Sequence, residues 1–172
     1  MYKRMLMGAA LSLALLAGGA AHAQAPNPLD NIPDNMPFNV PYGAPISLDK
    51  AREVIAAAVA ETKKRNWSLV IAVVDGGGNL VSFDRMDGSQ LGSIAIAQHK
   101  ARAAAKFRRE TKAFEGGIQA GNNYLITLDD IIASRGGIPL VEGGKLIGAI
   151  GVSGGTGSQD EVAAKAGAAI VK

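Results

Sequence analysis

The sequence predicts an α+β fold in which helices flank one mostly antiparallel sheet. Three observations carry this. Two pairs of short apolar runs are each joined by a glycine turn, at Asp75-Gly-Gly-Gly-Asn79 and at Glu142-Gly-Gly144, so each pair reads as a hairpin. Hairpins place neighbouring strands antiparallel. Stretches with helical spacing precede, separate and follow them, which gives the order helix, hairpin, helices, hairpin, helix.

The chain has 172 residues, enough for one domain with accessory segments. Its start reads as a targeting segment. Lys3-Arg4 precede an apolar run from Met5 to Ala17 that is too short for a comfortable membrane span. Ala21-His22-Ala23 fits the small-x-small cleavage rule, so residues 1–23 are expected to be a signal peptide cut before Gln24. A retained anchor is the alternative. Cleavage would leave 149 residues and remove Lys3 and Arg4, which takes the formal net charge from +3 to +1. So weak a charge argues against a nucleic-acid partner. The expected location is periplasmic or secreted, with no stable membrane anchor. Cysteine is absent, which excludes disulfides, thiolate metal sites and a cysteine nucleophile.

Residues 24–46 hold six of the seven prolines. Proline fixes φ and removes a donor, so no regular helix or central strand is expected. Leu29, Ile32, Met36, Phe38, Val40 and Tyr42 make the segment too apolar for a disordered linker. An extended arm is expected, lying across the domain or a neighbouring subunit. The domain proper spans 47–172. Ser47 suits an N-cap, and Leu48, Ala51, Ile55, Ala58, Val59 and Thr62 follow helical spacing up to Arg65-Asn66. Leu69–Val74 is an apolar, β-branched run that suits a strand covered on both faces, and Leu80–Phe83 completes its hairpin.

Leu91 to about Arg109 reads as a long helix whose alanine face can approach a sheet closely. Thr111–Ala120 reads as a short helix, and Thr127-Leu-Asp-Asp130 as a capped helical turn. Ile138–Val141 and Lys145–Val152 form the second hairpin. Ser158-Gln-Asp-Glu161 has the spacing of a capping box for the last helix, whose apolar face is Val162, Ala166, Ala169 and Ile170.

The stretch GVSGGTGSQDEVAAKAGAAI, from Gly151 to Ile170, looks at first like a phosphate cradle. No Lys follows the glycines as a P-loop requires, and the third glycine of a dinucleotide fingerprint is missing. Asp160 and Glu161 in the first turn would repel a phosphate. A Gly-rich turn that packs strand against helix is the better reading.

Four segments taken together resemble the GlcG/HbpS family: VIAVVDGGGNLVSFDRMDG (70–88), SIAIAQHKARAAA (93–105), RGGIPL (135–140) and KLIGAIGVSGGTGSQDEVAAKAG (145–167). The resemblance covers about residues 47–172. It implies a five-stranded antiparallel sheet flanked by helices, homo-oligomers and, for several members, haem binding. Some members are described as haem-degrading. Two departures matter. The family's KAxTA run has alanine in place of its threonine in Lys100-Ala-Arg-Ala103-Ala, and its GGG reads Arg135-Gly136-Gly137. The first removes a hydroxyl near the implied pocket.

Given haem or a similar planar small molecule as ligand, His99 is the candidate axial ligand and so the candidate metal-binding residue. The alternative is a surface histidine on a basic helix. Lys100 and Arg102 beside it, and Arg85, are candidates to hold propionates. Met86 is a candidate soft axial ligand, against the commoner role of core filler. Small side chains are expected to leave a slot for the ring. No catalytic residue is assigned: there is no GxSxG elbow, and Asp129-Asp130 and Asp160-Glu161 read as helix-start acids. The functional expectation is an exported haem-binding protein for scavenging, buffering or sensing. The alternatives are a haem-degrading or small-organic-acid enzyme, and a non-catalytic oligomeric interaction module.

Overall fold

The computed structural model describes residues 32–171. The signal peptide and the start of the arm lie outside these residues. Residues 32–35 belong to an N-terminal unit and carry no helix or strand. Everything below concerns the unit that begins at Met36.

In chain order the elements are α1 (Leu48–Lys64), β1 (Val70–Asp75), β2 (Leu80–Arg85), α2 (Ser93–Phe107), α3 (Lys112–Gln119), a 3-10 turn (Asn123–Thr127), β3 (Gly137–Glu142), β4 (Lys145–Ser153) and α4 (Gly157–Ala168). The four strands form one sheet in the order β2-β1-β4-β3, antiparallel throughout. The expected α+β class and both hairpins are present. The fifth strand that the family resemblance implies is not formed among the described residues. In its place the arm makes a single parallel bridge, Tyr42 to Leu146. Pro41 and Pro45 flank that bridge and cannot donate to a longer ladder.

The sheet has helices on both faces. Ile71, Val73, Ile150 and Val152 point to one face and pack with Val54, Ile55 and Ala58 of α1 and Ala163 and Ala164 of α4. Val70, Ala72, Val74 and Ala149 point to the other and meet Ala97, Ala101, Ala104 and Ala105 of α2. This is why β1 reads as a continuous apolar run: Val70–Val74 are all buried. Beyond α2, Ala103, Phe114 and Leu125 form a third small cluster.

Two local expectations are corrected. The capping box of α4 is built by Thr156 and Gln159, not by Ser158 and Glu161. Thr156 has the extended backbone of a cap (φ −70°, ψ 157°) and its hydroxyl accepts from the Gln159 N–H at 3.3 Å, while Ser158 already lies inside the first turn. The helical turn expected at 127–130 is instead the 3-10 turn at Asn123–Thr127. The Thr127 hydroxyl donates back to the Tyr124 carbonyl at 2.7 Å, and Asp130 sits at φ 63°, which a helix cannot continue through.

The arm lies across its own domain. The Arg109 guanidinium stacks 3.3 Å from the Phe38 ring centre, and Arg108 Nη1 donates to the Val40 carbonyl at 3.1 Å. The Tyr42 hydroxyl donates to the Lys106 carbonyl at 2.9 Å. Gly43 and Ile46 N–H groups donate to Leu146 and Ile147 of β4, each at 2.8 Å.

The glycines of β3 and β4 set how closely α2 can lie. A Cβ at Gly151 would overlap the Ala97 carbonyl and the Ala101 amide, and one at Gly137 would overlap the Lys100 carbonyl. The helix backbone therefore rests on the strand backbone. Gly151→Ala is expected to cost about 3 kcal/mol, because neither backbone can yield. Urea unfolding should show a lower midpoint with an unchanged slope.

Candidate functional site

The five residues singled out by sequence do not converge. Arg85 and Met86 lie at the end of β2, and His99, Lys100 and Arg102 lie on α2, across the sheet from α1.

Lys100 is buried and paired. Its side chain is 1% exposed, and its Nζ donates to Asp160 Oδ2 at 2.7 Å. The other carboxylate oxygen of Asp160 accepts from the Gly155 N–H at 3.0 Å. The pair joins the middle of α2 to the start of α4 beneath the Gly-rich turn. Burial pushes the Asp160 carboxyl above its usual range, and the Lys100 ammonium pulls it back. Lys100 is thus committed to Asp160 in this fold, away from any open surface. Asp160 is not a simple helix-start acid, since it points inward. One signal was in the sequence. Lys100 occupies an apolar position of the stripe Ala97, Ala101, Ala104, which an unpaired cation would not tolerate.

Met86 is turned inward against the α1 side of the core. Its sulfur accepts from the Thr62 hydroxyl at 3.2 Å. This is the filler role. Arg85 is exposed on the edge strand β2. Two adjoining grooves run between α1 and β2. One, of about 390 Å³, is lined by Arg52, Ile55, Val59, Lys63, Ser82 and Asp84. The other, of about 440 Å³, continues past Phe83 and Arg85 to Asp87. Neither contains a histidine.

His99 is half-buried on α2, with Arg102 one turn further along. Lys106, one turn beyond, donates to Asp130 at 2.6 Å. That hydrogen bond holds the Asp130 carboxyl below its usual range, and the nearby charges of Arg102 and His99 add to it. His99 and Arg102 thus lie on the side of α2 near Asp130. His99 is the one histidine among the described residues. No three His, Asp or Glu side chains among those residues gather closely enough to hold a metal ion by themselves.

The expected slot between small residues does not exist on the α2 face of the sheet. Gly137 and Gly151 are each pressed against α2 backbone, so the space their missing side chains release is filled. The turn at Gly154–Thr156 offers no anion cradle. The Gly155 N–H goes to Asp160, and the Thr156 N–H goes to Gln159 Oε1 at 2.8 Å.

A charge network ties the remaining elements together. Arg135 pairs with Glu115 of α3 at 2.6 Å and with Glu161 of α4 at 3.3 Å. Glu161 also meets Lys112 and Lys165. The Arg135 guanidinium holds Glu115, and Lys165 chiefly holds Glu161, below the ordinary carboxyl value of 4.5.

Comparison with known proteins places the whole domain. A family model described as "Haem degrading protein HbpS-like" matches residues 46–169. Protein GlcG of Escherichia coli K12 is 44% identical over 108 residues, which cover 63% of this chain and 81% of GlcG. A double mutant of Streptomyces reticuli HbpS superposes with a TM-score of 0.71 at 27% identity, over 83% of this chain and 97% of that one. PduOC, solved as a heme complex, superposes with a TM-score of 0.68 at 26% identity, over 75% and 96%.

Lys100→Met is expected to destabilise the fold by about 3–5 kcal/mol, because it strands the Asp160 carboxylate. Lys100→Met with Asp160→Leu should recover most of that loss in thermal melts. The paired Glu115 and Glu161 titrate below 4.5 when folded, so their stabilisation is complete above that value and drains away as pH falls through the folded values. Asp160, shifted upward, works in the opposite sense. Glu115→Gln should flatten the acid limb of the stability curve, measured by urea unfolding between pH 3 and 7.

Proposed function

The chain belongs to the HbpS-like family, and from that premise we propose that it binds haem. The observation that carries this reading is the match of the haem-associated family model to residues 46–169, nearly the whole described domain. A structural relative of the same fold, PduOC, was solved with heme.

The donor set of this chain fits the group in part. His99 supplies an imidazole, and Arg102 on the next turn supplies a cation suited to a propionate. The His99 ring is partly accessible and is not committed to a hydrogen bond among the described residues. Bound haem would supply an iron centre with an open or exchangeable position, and the protein would set its axial ligand and surroundings. Lys100 and Met86 take no part. The basic side of α2 supports capture of a flat, anionic-edged molecule against an outer surface, because the inner face of α2 is occupied by the sheet.

The leader read in residues 1–23 makes this an exported protein, periplasmic or secreted, and the role that follows is scavenging, buffering or sensing. Fractionation with N-terminal sequencing tests it: a mature start at Gln24 outside the cytoplasm is expected. The protein also assembles as a homo-oligomer in this reading. Turnover of the bound haem is favoured by one thing, the family's own description. It would show as steady bleaching of the haem with oxygen and reductant.

Hemin titration followed by absorbance tests the central claim. A saturable Soret band at one hemin per chain or per pair of chains is expected. His99→Ala should shift that band and weaken binding roughly tenfold or more, as loss of an axial ligand requires. No saturable uptake would remove haem, and an unchanged spectrum in the variant would remove His99.

A further inference from the structure

Two polar residues of β2 stand where the packing calls for apolar ones. Ser82 and Asp84 pair across the ladder with Val73 and Ile71. Directly opposed residues share a face of the sheet, and Val73 and Ile71 are buried on the α1 side. Positions that face a helix are expected to be apolar. Here a hydroxyl and a carboxylate occupy them.

α1 does not close over these groups. Ala56 and Ala60, one turn apart on this flank, are small and exposed. Short side chains on both helix and strand leave the space between them unfilled, which gives the groove of about 390 Å³. Ile55 and Val59 complete its apolar wall. A cleft of this size, apolar with a few convergent polar groups, takes one small molecule.

The charges identify the class of that molecule. Lys63 and Asp84 line both halves of the groove, Lys63 from α1 and Asp84 from β2. Elsewhere the domain pairs its charges, as at Lys106–Asp130, Arg135–Glu115 and Lys165–Glu161. Among the described residues neither Lys63 nor Asp84 enters an ion pair. A fatty carboxylate on the apolar wall would bring its anion beside Asp84. A simple amine would bring its cation beside Lys63, with Arg52 further along the same helix. In each case a like-charge contact offsets the opposite-charge one. A molecule with both charges at one end meets neither objection. An α-amino acid is such a molecule. Its ammonium donates to Asp84 and to the Ser82 hydroxyl, its carboxylate accepts from Lys63, and an aliphatic side chain lies along Ile55, Ala56 and Val59. The low-dielectric wall strengthens both charge contacts relative to open water.

We infer that the groove between α1 and β2 binds a free aliphatic α-amino acid, held as its zwitterion between Lys63 and Asp84. The site lies across the sheet from α2 and uses neither His99 nor Arg102. Haem binding and amino-acid binding therefore stand or fall separately.

Isothermal titration of the purified chain with L-leucine tests the site. Saturable binding at one leucine per chain is expected. 4-Methylpentanoate lacks the ammonium and 3-methylbutylamine lacks the carboxylate. Each should bind roughly tenfold more weakly or worse, because the group it fails to meet is left unpaired. Asp84→Asn should weaken leucine roughly tenfold and erase its advantage over 4-methylpentanoate. Ala56→Leu fills the groove from an exposed helix position and should abolish binding, while circular dichroism and thermal melts show the fold retained. Absence of saturable leucine binding overturns the site. An analogue that binds as tightly as leucine overturns the zwitterion, and leucine binding that ignores both variants overturns the placement.

Discussion

The structure depends on how closely α2 lies on the sheet. Gly137 and Gly151 leave the strands without side chains where the helix crosses them, and the helix backbone occupies the space. Ala97, Ala101 and Ala104 complete the contact from the helix side. Close packing of this kind supplies dispersion over a large area from very small groups. It explains how a chain with 5% aromatic residues builds a dense core. It also fixes the helix against rotation, since only one stripe of α2 is small enough to fit.

That fixed rotation decides what each charged residue on α2 can do. Lys100 falls at the margin of the buried stripe and has to be neutralised, and Asp160 does this from the first turn of α4. The pair ties the two helix layers together through the end of the sheet. His99, its neighbour in sequence, falls on the outer side with Arg102. Two adjacent residues thus receive unrelated roles, one structural and one open to a ligand. The groove between α1 and β2 is separate again, on the other face of the sheet.

The arm shows the same logic. Its prolines bar it from a full strand, so it contributes one bridge to β4 and is held otherwise by side chains. Arg108 and Arg109, just past the end of α2, clamp Phe38, Val40 and Tyr42. The position that a fifth strand would extend is used by a strap. The sheet keeps β2 and β3 as its edges.

The hairpins, the helix order, the buried run of β1 and the alanine face of α2 were legible in the sequence, because period and turn chemistry are local properties. The family was legible too, since its motifs are contiguous. The α4 cap was misplaced by two residues, because two overlapping Ser/Thr-x-x-Gln/Glu patterns compete and backbone conformation at Thr156 chose between them. The candidate site was legible only as a set of residue types. The Lys100–Asp160 pair spans 60 positions; the place of Lys100 on the alanine stripe calls for a partner, but nothing local names Asp160 as that partner. Whether Met86 faces solvent or Thr62 depends on the register of β2 against β1, and whether glycines leave a slot depends on what packs into them. The sequence by itself determined which segments curl, extend and turn. Tertiary structure alone decided which of the charged and polar groups remain free, because burial and partnership belong to the packed chain and not to any stretch of it.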